Sequence, residues 1–270
     1  MNNNSFFNST AKNYAGHLII AGGVNLYISG LELTYSIAGD GGAFLLTDFQ
    51  QVSIENLNID SSISTIKGGL LIENVGYLLL QDSIFRNLSS LVNAGFLYIF
   101  QSIVELLNCE VSLISAQSDG GAIYVEGGSS LFMENNQFFQ ILSGGSGGAI
   151  FHSNAANSDF KNTSFINCSA VGQGGVLYFD EITSFSGNET MIFDSWTLGN
   201  GVIFIKTEAD TSSFYMKDLF CNNTKAIAGA CLYYLSAGLL TIEGMGIYGN
   251  KALALYIYWS FNINVYLSDV

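Results

Sequence analysis

The residues best placed to do chemistry in this chain of 270 residues are carboxylates. Asp180, Glu181, Glu189, Glu208 and Asp210 fall in two stretches, "DEITSFSGNET" and "KTEADTSS". Hard oxygen donors that converge in this way hold a calcium ion. The other reading is a pair of solvated loops whose charge serves solubility. Basic partners are scarce, because His17, His152 and the single arginine, Arg86, stand far apart. Four cysteines, Cys109, Cys168, Cys221 and Cys231, are too sparse for a disulfide framework; packing as small hydrophobes is the expectation, and a bridge between two of them is the alternative. Acceptor sequons for N-linked glycans occur at Asn3, Asn8, Asn87, Asn162, Asn167, Asn188 and Asn222.

Composition narrows the functions open to these groups. Lys plus Arg is 8 against 22 Asp plus Glu, so the chain carries a net charge of −14 and repels a phosphate backbone. Nucleic acid is thereby excluded as a partner. Only 11% of residues are charged and none is proline, so Ser, Thr, Asn and Gln must cover the surface. Apolar runs such as "HLII", "YLLL" and "ALALYIYW" are far shorter than the roughly 18 residues of a spanning helix. The opening "MNNNSFFNST" has no basic end followed by an apolar core, so a secreted chain is expected to be a mature form or a fragment.

The elements that position these groups repeat. Glycines that open an apolar run stand at Gly42, Gly69, Gly95, Gly121, Gly148, Gly175, Gly201 and Gly229, at intervals of 27, 26, 26, 27, 27, 26 and 28. Each precedes a strand-like segment such as "GFLYI", "GAIYV" or "GVLYF". A second marker runs through Gly30, Asn56, Asp82, Asn108, Asn135, Asn162, Asp194, Asp218, Gly244 and Asp269. All are Gly, Asn or Asp, the types that tolerate a left-handed backbone most cheaply, so each is read as a one-residue corner. An apolar residue stands two before every corner, from Ile28 to Leu267, and usually another three after it, as at Phe85, Phe138 and Phe165. That is the alternation of strands with one face buried.

Each unit of about 26 residues thus holds three short strands and cannot bury its apolar face alone. Stacking the units about 4.8 Å apart buries a continuous column and pairs the backbone between coils. The fold class that follows is all-β: a single-chain parallel β-helix of about ten coils over residues 16–270, behind a polar N-terminal arm or cap at 1–15. A β-sandwich does not hold a fixed register of corner residues over the whole chain.

The units "SDGGAIYV", "SGGAIF" and "FINCSAVGQGGVLYF", with "FRN", "FIN", "FCN" and "IYGN", resemble the GGA[I/L/V] and FxxN repeats of polymorphic outer membrane proteins of chlamydiae, which also occur in surface proteins of some protists. The resemblance covers nearly the whole chain. It implies a right-handed, pectin-lyase-like β-helix displayed at the cell surface, in an adhesin or structural protein. It departs in one respect, since the membrane barrel through which chlamydial members are secreted is not seen here.

Within that frame the expectation is an extracellular structural or adhesive solenoid without catalytic activity or required cofactor. Its partners are other copies of itself or neighbouring β-helical segments stacked end to end, in one form a head-to-tail filament, together with carbohydrate or cell-surface ligands. The competing class is a calcium-dependent carbohydrate-binding or polysaccharide-degrading β-helix. Glu55 and Glu134 share a phase but lie three coils apart, roughly 14 Å, too far for a glycosidase pair. Asn87, Asn167, Asn188 and Asn222 lie in turns and are the favoured glycan acceptors. Asn3, Asn8 and Asn162 are less so, the last because its amide is expected to serve the corner.

Overall fold

The computed structural model describes residues 4–258 and 263–266. Its 26 strands stack in parallel, each on the strand one coil away. No helix among the described residues is long and apolar enough to cross a membrane. The chain forms a parallel β-solenoid of about ten turns. Residues 4–10, expected as an arm or cap, take the form of a strand, Asn4–Thr10, in register on Leu31–Ile37.

Registry turns the period into columns. On the first face Phe44, Leu70, Leu97, Ile123, Ile150, Leu177, Ile203 and Leu232 lie one above another and are buried. On the third face Ile59, Phe85, Val111, Phe138, Phe165, Ile192 and Cys221 do the same. A coil contributes one residue to each column, so the core grows only by stacking.

The sharpest corner uses its two small residues differently. Gly41, Gly120, Gly147 and Gly174 take φ of 57°, 66°, 66° and 64°. The residue that follows has ordinary φ but sits against the next coil. A Cβ on Gly175 would lie 2.6 Å from the carbonyl oxygen of Trp196, and one on Gly148 would overlap the carbonyl of Gly175. One glycine supplies conformation and the other supplies closeness.

At the polar corner Gly30, Asn56, Asp82, Asn108, Asn135, Asn162, Asp218 and Gly244 all have φ between 44° and 75°. Their side chains link coils: Asn108 Nδ2 donates to Asp82 Oδ1 at 2.9 Å, Asn135 to Asn108 at 3.2 Å and Asn162 to Asn135 at 2.8 Å. Asp194 does not belong to this ladder. Phe160 pairs with Gly187 and Phe165 with Ile192, which places Glu189, φ 54°, between Asn162 and Asp218. Asp194 stacks instead above Asn167, and Thr197 pairs with Ala170 rather than following Phe165. Glutamate at this corner breaks the run of Gly, Asn and Asp, and the turn at 208–212 lengthens the next step by two residues, from Ser184 to its partner Ser213. Asp269 and Leu267 lie outside the described residues.

Two further left-handed corners recur along the stack. One runs through Asp48, Asn74, Gln101, Asn154 and Glu181, the other through Tyr35, Ser61, Asn87, Leu113, Gln140, Asn167, Asp194 and Asn223. After corners of the polar ladder and of the second of these rows, the backbone N–H is met by a side chain of the next coil. Leu57 N donates to Ser83 Oγ at 3.0 Å, Cys109 N to Asn136 Oδ1 at 2.8 Å and Cys168 N to Ser195 Oγ at 3.1 Å. These pairings explain why small polar residues are buried in an otherwise apolar interior.

Candidate functional site

Of the five acidic residues read as either a calcium cluster or solvated loops, Glu181 and Glu208 meet, whereas Glu189 stands at another corner. "DEITSFSGNET" is not a loop but a regular part of a coil, with Ser184–Phe193 a strand paired with its neighbours on both sides. Glu189 consequently occupies the polar corner ladder, while Glu181 turns a different corner. Asp180 pairs with Lys206 at 3.3 Å. Glu181 accepts Thr207 Oγ1 and the amide of Glu208, both at 3.2 Å. Asp210 sits exposed in the inserted turn. No group of three or more His, Cys, Asp or Glu able to hold a metal occurs among the described residues.

Carboxylates elsewhere are held by a neighbouring coil. Tyr27 donates to Glu55 at 2.9 Å, Tyr215 to Glu243 at 2.9 Å, and Tyr77 and Tyr98 to Glu105 and Glu126 in the same way. Burial, then the bond to Glu105, pushes the Tyr77 phenol up to about 12. Lys161 pairs with Glu134 at 2.6 Å, and Arg86 with Glu110 at 2.8 Å. The nearest approach to a catalytic constellation is a shallow cleft of about 220 Å³ where Glu105, Glu134, Asp159 and Lys161 meet. Glu55 lies three coils from Glu134, through Gln81 and Leu107.

Neither histidine faces this cleft. His17 is fixed by Ser9 Oγ at 2.6 Å and the Thr34 carbonyl at 3.0 Å, and burial lowers its pKa. His152 belongs to the core, in the column between Val125 and Phe179, with its ring 5.0 Å from that of Phe179. Full burial pushes its pKa down to about 3, so it is neutral. Its Nε2 lies 3.4 Å from Ser158 Oγ, and its Nδ1 has no hydrogen-bond partner among the described residues.

Two cysteines depart from the expected packing as free hydrophobes: Cys221 and Cys231 form a disulfide, with Cα atoms 5.9 Å apart. Cys221 stands in the column of Phe85, and Cys231 follows the glycine corner as Phe96 does. Phe85 and Phe96 touch with ring centroids 4.1 Å apart. The disulfide therefore fills the contact that a phenylalanine pair makes five coils earlier. Cys109 and Cys168 are free and buried, and burial pushes both thiols up to about 12, which keeps them unreactive.

A second aromatic column, not recognised from the sequence, runs outside. Tyr98, Tyr124, Phe151, Tyr178, Phe204, Tyr233 and Tyr256 stack with centroids 4.5 to 5.2 Å apart and planes within 10°. The signal was available, because each is the second residue of the strand after the glycine corner: "LYI", "IYV", "IFH", "LYF", "IFI", "LYY" and "LYI". Lys67 closes the first ring, its Nζ 4.7 Å from the Tyr98 centroid. Stacked rings occupy one another's faces, so this row turns edges and hydroxyls outward and has no free faces along its length for a pyranose.

The favoured sequons do not all lie in turns, since Asn188 and Asn222 belong to the strands Ser184–Phe193 and Ser213–Asn222. Asn87 Nδ2 donates to Asp60 Oδ1 at 2.8 Å and Asn162 Nδ2 to Asn135, so both amides are engaged. Asn8 and Asn167 are exposed at left-handed positions. Asn188 lies between Lys161 and Lys217, and Asn222 between Phe193 and Tyr248. Asn3 lies outside the described residues.

No curated protein and no solved structure matches the chain. The family described as the right-handed β-helix region matches residues 41–211, which take in the larger part of the glycine-corner column, the polar ladder and the outer ring row. With well over half of its length matched, the chain belongs to the right-handed β-helix family.

Proposed function

We propose that the chain is a non-catalytic structural or adhesive solenoid displayed outside the cell, with glycans on its polar, acidic faces. The observation that carries this reading is how its reactive side chains are used. Tyrosine hydroxyls, carboxylates, corner amides and lysines bond from one coil to the next. Groups so engaged hold a stack together rather than wait for a substrate. The Cys221–Cys231 disulfide supports an oxidising compartment. The GGA and FxxN repeats support a surface setting through their resemblance to the polymorphic outer membrane proteins. A coil that stacks on its like makes another copy, or an adjoining β-helical segment, the natural end-to-end partner.

The experiment is to label intact producing cells with a membrane-impermeant amine reagent and alkylate the recovered protein before and after reduction. The expected outcome is surface labelling with Cys221 and Cys231 blocked until reduction. Protein found only inside the cell with four free thiols would sink the proposal.

A second reading, a carbohydrate-active β-helix, is favoured by the cleft of Glu105, Glu134, Asp159 and Lys161. Membership of the family fixes a fold and not an activity, because it includes enzymes and non-enzymes. Incubation with neutral and acidic polysaccharides, with and without calcium, separates the two. New reducing ends or unsaturated products that disappear in Glu134→Gln would establish the enzyme.

A further inference from the structure

We propose that Asn222 carries an N-linked glycan whose first sugar lies on the aromatic patch of Phe193, Phe220 and Tyr248. The proposal rests on the extracellular reading above and adds the site and its platform. Phe220 and Asn222 are two residues apart on the strand Ser213–Asn222, so they share its outward side. Registry places Phe193 on the coil before Asn222 and Tyr248 on the coil after it. The amide is thus flanked by rings on three sides.

These rings differ from the closed outer row. Their centroids are 5.4 and 5.3 Å apart, but their planes are tilted by 48° and 38°, so their faces are not shut against one another. Tyr248 is 45% exposed. A pyranose carries axial C–H bonds that suit the negative face of an aromatic ring, and its hydroxyls remain in water. A sugar seated here also covers apolar surface that a soluble chain otherwise leaves open. Among the described residues the Asn222 side chain makes no hydrogen bond, whereas the amides of Asn87 and Asn162 are engaged.

The sequon also dates the modification. Thr224 is fully buried and its hydroxyl donates to Asn250 Oδ1 at 2.8 Å, so a transferase can read Asn222-Asn223-Thr224 only before this coil closes. In the transfer, Asn222 Nδ2 bonds to the anomeric carbon of a lipid pyrophosphate-linked oligosaccharide. The bond from that carbon to the pyrophosphate oxygen breaks with its electron pair, and the amide proton passes to a base of the transferase.

The test is production of the full chain in a eukaryotic secretory host, with site occupancy read by peptide mass spectrometry. Occupancy at Asn222 is expected, and Asn222→Gln should lower Tm by roughly 2–4 °C and raise binding of an apolar dye. Trimming the glycan to its first sugar with an endoglycosidase should leave Tm unchanged. In a Tyr248→Ser background the loss caused by Asn222→Gln should fall below half. An unoccupied Asn222 beside other occupied sequons overturns this proposal and leaves the extracellular reading standing. An Asn222→Gln loss that is absent, or equal in the Tyr248→Ser background, overturns the platform. A chain secreted with no sequon occupied and with reduced cysteines overturns both.

Discussion

The inner column passes through Ile59, Phe85, Val111, Phe138, Phe165, Ile192 and Cys221, whereas the outer row holds a ring at seven consecutive coils from Tyr98 to Tyr256. The inner column mixes shapes because three faces converge on it, and a small residue on one face can be met by a large one from another. Phe138 and Phe165 stack at 5.1 Å, yet Ile192 follows without interruption of the core. The outer row has the sheet on one side only. Its rings gain burial chiefly from each other, so they lie flat, with planes within 10°. Convergence permits variety, and one-sided support demands uniformity.

Breaking the inner column should cost most. Phe165→Ala removes a fully buried ring, with an expected loss of about 3–5 kcal/mol measurable by urea unfolding. His152, which faces inward in an adjacent column, adds a pH dependence. Its pKa is about 6.5 in the unfolded chain and about 3 in the fold. A depressed folded pKa gives stability that is complete above pH 6.5 and is lost as pH falls towards 3. At pH 4 that loss is roughly 3 kcal/mol, and His152→Leu should abolish that part of the acid sensitivity while changing little of the slope above pH 7. An unaltered acid profile would show that the ring is not held neutral by burial.

The outer row should yield in proportion to the number of neighbours lost. Tyr178→Ala separates Phe151 from Phe204 and should cost about 1–3 kcal/mol. Tyr256→Ala leaves only Tyr233 without its partner and should cost about 1 kcal/mol or less. Equal losses at the two sites would mean that each ring acts through its own coil and that the stack contributes nothing.

The two columns were not equally legible beforehand. Phe85, Phe138 and Phe165 stood out because inward positions keep a fixed distance from the Asn and Asp corners. Tyr98 to Tyr256 repeat more regularly, yet the glycine marker and the buried alternation give no role to the outward residue between two core positions. Asn162 was placed on its corner because Asn108, Asn135 and Asn162 keep an even spacing. Asp194 takes the place of Glu189 in the sequence reading because glutamate is not among the residue types that favour a left-handed corner, although Glu189 keeps the regular spacing from Asn162. Leu113 and Gln140 hide a second corner ladder, since neither is a residue type that announces a left-handed turn.

By itself the sequence determined the coil length, the inward columns, the glycine corner and the parallel stacked architecture, because each depends on residue type recurring at a nearly constant interval. Only the tertiary structure decided which cysteines meet, where Glu189 points relative to Glu181, and which rings are open around Asn222. Those outcomes turn on registry between coils. A shift of a few residues in one turn leaves the local pattern unchanged and redirects every side chain that follows.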